Sequence, residues 1–257
     1  MSSSQAARRY TPLAKEDLSD RAARELRTAI LAGDYAPGER LPSERELSEQ
    51  FGVDRHTLRS AMHELQLLGL IQRRQGAGAH VLPYEETATL DLVPFLIHKP
   101  GTDEIDLEIV ASVVDVGTIV YDGVVGLVAA RADEDDLAVM QAALDDLEQA
   151  TRTGSVHDIV EADRRLLRSI VRGAHSIVCD LVVNCLDRMF TAAIDPARQL
   201  QERWAMQIGT PEGVRNYRSL LTAIEKHNVN AARKALGNIL PSLDLLVGEL
   251  TALDDRR

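Results

Sequence analysis

Cysteine, aromatic residues and long apolar runs are all scarce in this chain. Its 257 residues include two cysteines, and aromatic residues make up 4% of the total. Two cysteines, Cys179 and Cys185, cannot build the disulfide framework of a small secreted domain, and they fit a reducing compartment. The first twelve residues lack the apolar segment of a signal peptide. The sequence contains no uninterrupted run of about 18 apolar residues, which is the length that a membrane span requires. We therefore expect a cytoplasmic protein without a membrane partner.

Basic charge is also in the minority, but not uniformly. The whole chain carries a net charge of -11, which argues against a nucleic-acid partner for the molecule as a whole. Residues 1–82 hold 12 Lys and Arg against 11 Asp and Glu, a net charge of +1, so the remainder carries −12. The first third of the chain is therefore expected to have a different partner from the rest.

The first third shows helix signals closed by turn residues. Residues 18–33 have a helical apolar period that Gly33 ends. Ser43 and Glu46 form the pattern of a capping box for a second helix, and Asp54 is placed to cap a third. Apolar segments on either side of a glycine-rich turn at 75–78 predict a two-stranded hairpin. The predicted order is helix, helix–turn–helix and a two-stranded wing.

The third helix carries the residues that are expected to read DNA. Arg55 and Arg59 are four apart and share one helix face, opposite the apolar stripe. Each guanidinium can bond guanine O6 and N7 in the major groove. His56 and Thr57 can reach base edges or phosphates, and Arg45 on the preceding helix is placed to touch the DNA backbone or a base. Arginines at this spacing are more often solvated surface, and it is the surrounding motif that favours a reading role.

This region resembles the winged helix–turn–helix of the GntR family of bacterial transcription regulators. The matching segments are residues 37–47 (PGERLPSEREL), 51–59 (FGVDRHTLR) and 65–71 (LQLLGLI), followed by Gly76 and Gly78. The resemblance implies a homodimer on a short pseudo-palindromic operator of double-stranded DNA. It also implies Arg45, Arg55 and Arg59 as the principal readers, with Gly76 at a wing tip in the minor groove. Gln75, beside it, can hydrogen-bond in the same groove.

Beyond the wing only helical periodicity is visible. The predicted helices cover 88–98, 103–131, 133–152, 155–173, 175–207 (broken near Asp195 and Pro196), 211–227 and 229–252. The fold class is therefore mainly α, with an N-terminal winged helix–turn–helix and a C-terminal antiparallel helical bundle. We expect a flexible arm at 1–17, the DNA-binding domain at 18–82, a linker at 83–89, and an effector-binding and dimerisation domain at 90–253.

The helical region resembles the fatty-acid-responsive FadR branch of the family. Most of that branch binds a metal through one Asp and three His. The Asp position matches Asp163, but the His positions fall on Leu167, Tyr217 and Ile239. A single carboxylate without an imidazole partner does not hold a divalent metal, so we expect no metal and no cofactor.

The effector is expected to be hydrophobic. A helical pocket with apolar walls and few fixed charges resembles a site for long-chain fatty acyl-CoA. Four polar residues near the apolar stripes are candidates to line it: Tyr121, Asp163, Asn184 and Tyr217. The alternative for each is a side chain that is hydrogen-bonded in the core or at the surface and has no role in effector binding.

Two other functions stay open at this point. A GntR-type regulator of a small organic acid would share the DNA-binding head but require a polar pocket with an arginine or a metal. A helical ligand-binding protein or enzyme would show no sequence-specific DNA binding. No histidine, serine or cysteine has the partners of a catalytic site, so we predict that the protein is not an enzyme.

Overall fold

The computed structural model describes residues 18–74, 78–194 and 205–240. The chain divides into two compact units, and the division falls between Thr89 and Leu90. Gln75 and Gly76, the arm at 1–17, the break near Asp195 and Pro196, and residues 241–253 all lie outside the described residues.

The N-terminal unit has the predicted element order. Its elements are α1 (Leu18–Leu31), α2 (Glu44–Phe51), α3 (Arg55–Leu67), β1 (Ile71–Arg74), β2 (Gly78–Val81) and α4 (Tyr84–Thr87). The strands pair antiparallel, with Ile71 opposite Val81 and Arg74 opposite Gly78.

The helix ends are set by the residues that the sequence indicated. Ser43 accepts a bond from the Glu46 backbone, and the Glu46 carboxylate accepts one from the Ser43 backbone, so the capping box is confirmed. Asp54 accepts from the backbone of His56 and Thr57 at the start of α3. Gly52 ends α2 at φ 64°, a left-handed conformation that glycine adopts without strain. These local bonds fix the angle at which α3 leaves the turn.

A small apolar core and one ion pair hold α1 against α3. Ala23, Leu58 and Leu65 are completely buried. Arg27, nearly buried on α1, donates to Glu64 on α3 at 2.7 Å. Burial lowers the pKa of Arg27, and the charge of Glu64 opposes that shift.

The predicted linker at 83–89 contains a short helix. Residues 84–87 form the short helix α4, and the Thr87 hydroxyl donates to the carbonyl of Gly69 at 2.8 Å. Gly69 has φ 74°, and a Cβ there would collide with the backbone of Thr87 and Ala88. The segment after the wing is thus packed against the end of α3.

The C-terminal unit is built from helices, apart from a loop at 97–106 among its described residues. A short 3₁₀ turn (Leu90–Leu92) leads into α5 (Val93–Leu96), and the long helices follow: α6 (Leu107–Arg131), α7 (Glu134–Thr153), α8 (Val156–Arg172), α9 (Ile177–Ile194), α10 (Pro211–Glu225) and α11 (Val229–Gly237). Residues 205–208 are also helical.

Two of the expected helix starts were wrong. The helix predicted from 103 begins at Leu107, because Asp106 caps it by accepting from Glu108 and Ile109. The helix predicted over 88–98 is split into the 3₁₀ turn and α5. His98 and Ile105 then form an isolated backbone bridge, which closes the loop ahead of α6.

Helix α6 is the most apolar element of the described chain. By length and composition alone it could cross a membrane, but half of its most apolar window is buried within the domain. The core helix of a soluble protein passes the same test. Here α6 contributes Val113, Val124, Val125 and Val128 to a core that it shares with α7, α8, α9, α10 and α11.

Candidate nucleic-acid interface and buried polar cluster

The third helix presents one polar face and buries the other. Arg55, His56 and Arg59 are exposed, whereas Leu58, Met62 and Leu65 are almost fully buried. The buried face fixes the rotation of α3 about its axis, so the two guanidiniums are directed outward. This is the geometry of a helix that inserts its first turns into a major groove.

Asp54 and Thr57 form a hydrogen-bonded cap at the start of α3. Asp54 Oδ1 accepts from both backbone amides, and the Thr57 hydroxyl donates to Asp54 Oδ2 at 2.8 Å. The bonds from Thr57 and then from His56 lower the pKa of Asp54. The carboxylate is therefore held charged. In the chain without DNA, the Thr57 hydroxyl donates its hydrogen bond to Asp54.

A single carboxylate joins three elements of the N-terminal unit. Glu44, the first residue of α2, accepts from Arg59 Nε at 3.0 Å through Oε2. Its Oε1 accepts from Arg73 on β1. The pairs are partly exposed, with side-chain exposures of 62% for Arg59 and 27% for Glu44. Exposed pairs of this kind contribute about 0–1 kcal/mol to stability.

Three further arginines, Arg45, Arg55 and the wing residue Arg74, differ in their partners. Arg45 faces Glu49 one turn along α2 at 3.8 Å, and both side chains are about two-thirds exposed. Arg55 has no ion pair with any residue that the structure describes. On the wing, Arg74 Nε donates to Gln72 at 3.2 Å. Arg45, Arg55 and Arg74 are thus available to a polyanion at little cost.

The C-terminal unit contains a polar cluster inside its core. The Tyr217 hydroxyl on α10 donates to Asp163 on α8, and both residues are almost fully buried. Tyr121 on α6, also buried, donates to Asp187 on α9 at 3.0 Å. Burial, and then the nearby carboxylate, raise the pKa of both tyrosines. Three of the four predicted effector residues therefore sit in one buried region, each in a hydrogen bond.

Asn184 does not belong to this cluster. It is exposed on α9, so the prediction that it lines the same cavity is wrong. The apolar period of α9 places Val183 and Leu186 in the core and turns Asn184 outward.

The metal site that the resemblance implies does not fit these residues. At two of its positions stand the hydrocarbon side chains of Leu167 and Ile239. At the third, the Tyr217 hydroxyl donates a hydrogen bond to Asp163 instead of binding a metal together with it. Among the described residues one trio has ligand atoms close enough for an ion, Asp133, Asp136 and His175. The carboxylates of that trio already form the capping box of α7.

A cavity of about 340 Å³ opens beside the buried cluster. Its lining includes Tyr217 and Ile239 together with five other polar side chains from the segment ahead of α10, from α10 itself and from the end of α11: Gln207, Thr210, Glu212, Asn216 and Asn238. The Asn216 amide donates to the Asn238 carbonyl at 3.1 Å. Tyr217 was predicted from the sequence, whereas these neighbours, Glu44 and Asp187 were not.

Two family models match the chain, one in each unit. Residues 18–81 match the model described as bacterial regulatory proteins of the gntR family, and residues 119–241 match the FCD domain. The chain belongs to the GntR family of bacterial transcription regulators. The resemblance found in the first third of the sequence is thereby confirmed at the level of the family, and this GntR-family chain carries an FCD domain after its DNA-binding head.

Transcription regulators with similar sequences match either most of this chain or about a third of it. The chain is 29% identical to the HTH-type transcriptional regulator Mce2R of Mycobacterium tuberculosis, over 89% of this chain and 91% of that one. It is 25% identical to the galactonate operon transcriptional repressor of Escherichia coli, over 91% and 98%. With the transcriptional repressor NanR of an Enterobacter species the identity is 44%, over 31% of each chain.

Proposed function

We propose that this GntR-family regulator binds a pseudo-palindromic operator through Arg45, Arg55 and Arg59, assisted by His56, Thr57 and the wing residues Gln75 and Gly76. The observation that carries the proposal is the outward pair Arg55 and Arg59 on a helix whose other face is buried. Guanine offers two acceptors in the major groove, and an arginine fork matches them.

Selection from random duplexes tests the proposal. The wild-type chain is expected to enrich an inverted repeat whose half-sites contain guanine. Binding of the selected duplex is then measured by fluorescence anisotropy over a range of salt concentrations, because phosphate contacts make affinity fall as salt rises. Enrichment of no motif would refute sequence-specific reading.

We infer that the operator-bound form is a homodimer, because a pseudo-palindrome requires two reading heads. Exposed apolar side chains on α6 and α9 support a self-association face. Ile119 is 72% exposed on α6, and Ile177 and Leu181 are 69% and 61% exposed on α9. Helices α6 and α9 pack against each other, and apolar side chains left exposed on such a pair are typical of interaction sites. Burying them against a second copy would remove that apolar area from water.

Sedimentation of two variants tests the dimer face. Ile119→Asp with Leu181→Asp is expected to yield monomers, since two charges would have to be buried. Val139→Asp, on an exposed position of α7, is the matched control and is expected to leave the mass unchanged. A dimer that survives the double substitution would place the interface elsewhere.

The effector proposal has two candidates. The resemblance to the FadR branch favours long-chain fatty acyl-CoA, bound among apolar helices near Tyr121, Asp163 and Tyr217. The cavity favours a smaller, hydroxyl-rich molecule, because five of its lining side chains are polar. Its volume lies at the lower end of the range for ligand pockets, about 300–1,000 Å³. Among the lining residues that the structure describes, Glu212 is charged and no cation faces it.

Operator binding in the presence of three probes separates these candidates. Palmitoyl-CoA, galactonate and the neutral sugar galactose are each added to the protein–operator complex. A ligand that prefers one arrangement of the helical domains shifts the population of DNA-competent dimers. A response to palmitoyl-CoA alone supports the acyl effector, whereas a response to either small probe supports the polar ligand.

A further inference from the structure

We propose that Glu44 is a positioning residue that sets how Arg59 reads its base and couples that reading to the wing. The inference rests on the proposed function, since it concerns the same DNA-reading surface. Its basis is the pair of bonds that Glu44 accepts, one from α3 and one from β1.

The atoms used by each partner decide what Glu44 can do. Arg59 donates through Nε, and its two terminal nitrogens, Nη1 and Nη2, have no hydrogen-bond partner among the residues that the structure describes. Those two nitrogens form the end of the fork that matches guanine O6 and N7. The carboxylate therefore does not block base recognition. It holds the plane of the guanidinium and removes side-chain freedom that binding would otherwise have to remove.

The second bond brings in the wing. Arg73 lies on β1, next to the last residue of that strand, and donates to the other oxygen of Glu44. Glu44 itself is fixed at the start of α2, directly after the Ser43 cap. One residue on the first helix of the motif thus links the recognition helix to the hairpin, so their relative position is set before DNA arrives.

Stability does not explain the arrangement. Exposed pairs contribute little to folding, and a carboxylate on a DNA-facing surface repels phosphate. Removing Glu44 is therefore expected to strengthen non-specific binding while weakening discrimination. A carboxylate that lowers general affinity but orders a base-reading arginine acts on specificity.

The test compares Glu44→Gln with Glu25→Gln, which makes the same charge change at an exposed position of α1. The selected operator is compared with duplexes in which each half-site guanine is replaced in turn, and the ratio of two affinities is taken at the guanine where Arg59→Ala loses most discrimination. For Glu44→Gln the ratio of the two affinities is expected to fall about five- to tenfold. Binding to unrelated DNA is expected to rise, with the salt slope steeper by about one as Arg73 becomes free to bind phosphate. Glu25→Gln should keep the wild-type ratio.

An Arg59→Ala background separates positioning from a general structural effect. There Glu44→Gln should leave the affinity ratio unchanged, because the residue it acts through is gone. An unchanged ratio in the wild-type background, or an equal loss in both backgrounds, overturns the inference. If Arg59→Ala itself binds the operator with wild-type discrimination, the proposed function fails instead, and the two failures are thereby distinguished.

Discussion

The two units of this chain place their polar side chains in opposite ways. In the N-terminal unit Arg55 and Arg59 are exposed, and the bond from Arg59 to the partly exposed Glu44 lies where water can reach it. In the C-terminal unit Asp163 and Tyr217 are buried at 2% and 1% exposure and bond to each other. The difference indicates two tasks: exposed charges are available for exchange with a polyanion, whereas buried bonds specify a helical arrangement.

The same contrast separates binding energy from folding energy. A surface ion pair contributes about 0–1 kcal/mol to folding, but its arginine can contribute about 1–3 kcal/mol to discrimination between bases. A buried hydrogen bond has the reverse profile, because losing one partner leaves a desolvated polar group. Substitutions in the two units should therefore have different consequences, and the predictions below test that division.

The largest effect on stability is expected from Tyr217→Phe. The change removes the donor to Asp163 while it keeps the ring that fills the core. We expect the free energy of unfolding of the helical unit to fall by about 1–3 kcal/mol, measured by urea denaturation. Tyr35→Phe makes the same chemical change at a partly exposed position and should alter stability by much less. Equal losses in the two variants would contradict the assigned role of the buried bond.

A smaller effect, confined to alkaline conditions, comes from the raised pKa of Tyr217. Below pH 10 the phenol is protonated in both folded and unfolded chains, so its contribution to stability is complete. As the pH rises through the unfolded value near 10, the unfolded chain releases its proton and the buried phenol does not. Stability should then fall by about 1.4 kcal/mol per pH unit for this group.

Denaturation at pH 9, 10 and 11 measures this dependence. The gap in stability between wild type and Tyr217→Phe should narrow above pH 10, because the variant lacks the titrating group. A gap that stays constant or widens between pH 9 and 11 would show that the phenol is not held protonated by its surroundings.

The smallest effect is expected at the surface pair Arg45–Glu49. Glu49→Gln removes an ion pair whose side chains are about two-thirds exposed. The free energy of unfolding should change by less than about 0.5 kcal/mol. Thermal melting of the two proteins measures this change. A loss as large as that of Tyr217→Phe would erase the contrast between the two units.

Much of the DNA-binding head could be predicted because its signals are local. Ser43 interacts with Glu46, and Asp54 interacts with Thr57. The partners in each pair are three residues apart, so a local sequence pattern predicts the interaction. The spacing of Arg55 and Arg59 likewise follows from the helical period. What the sequence analysis missed in the head was Glu44, whose partners Arg59 and Arg73 lie 15 and 29 residues away.

The helical unit was less predictable for the same reason. Tyr217 meets Asp163 across 54 residues and Tyr121 meets Asp187 across 66. Periodicity shows that such residues lie near an apolar stripe, but the partner depends on which helices pack together. Asn184 illustrates the limit: a shift of one position along α9 moves a side chain from the core to solvent.

The central claim is that Arg55 and Arg59 read the operator, and one binding measurement tests it most directly. Fluorescence anisotropy compares the wild type with the double variant Arg55→Ala and Arg59→Ala on the selected operator. As a control, Arg165→Ala with Arg168→Ala removes two exposed arginines from α8. Loss of two base contacts at about 1–3 kcal/mol each predicts a fall in affinity of about 30-fold or more, with the control unchanged. A double variant that binds the operator within threefold of the wild type would contradict the account.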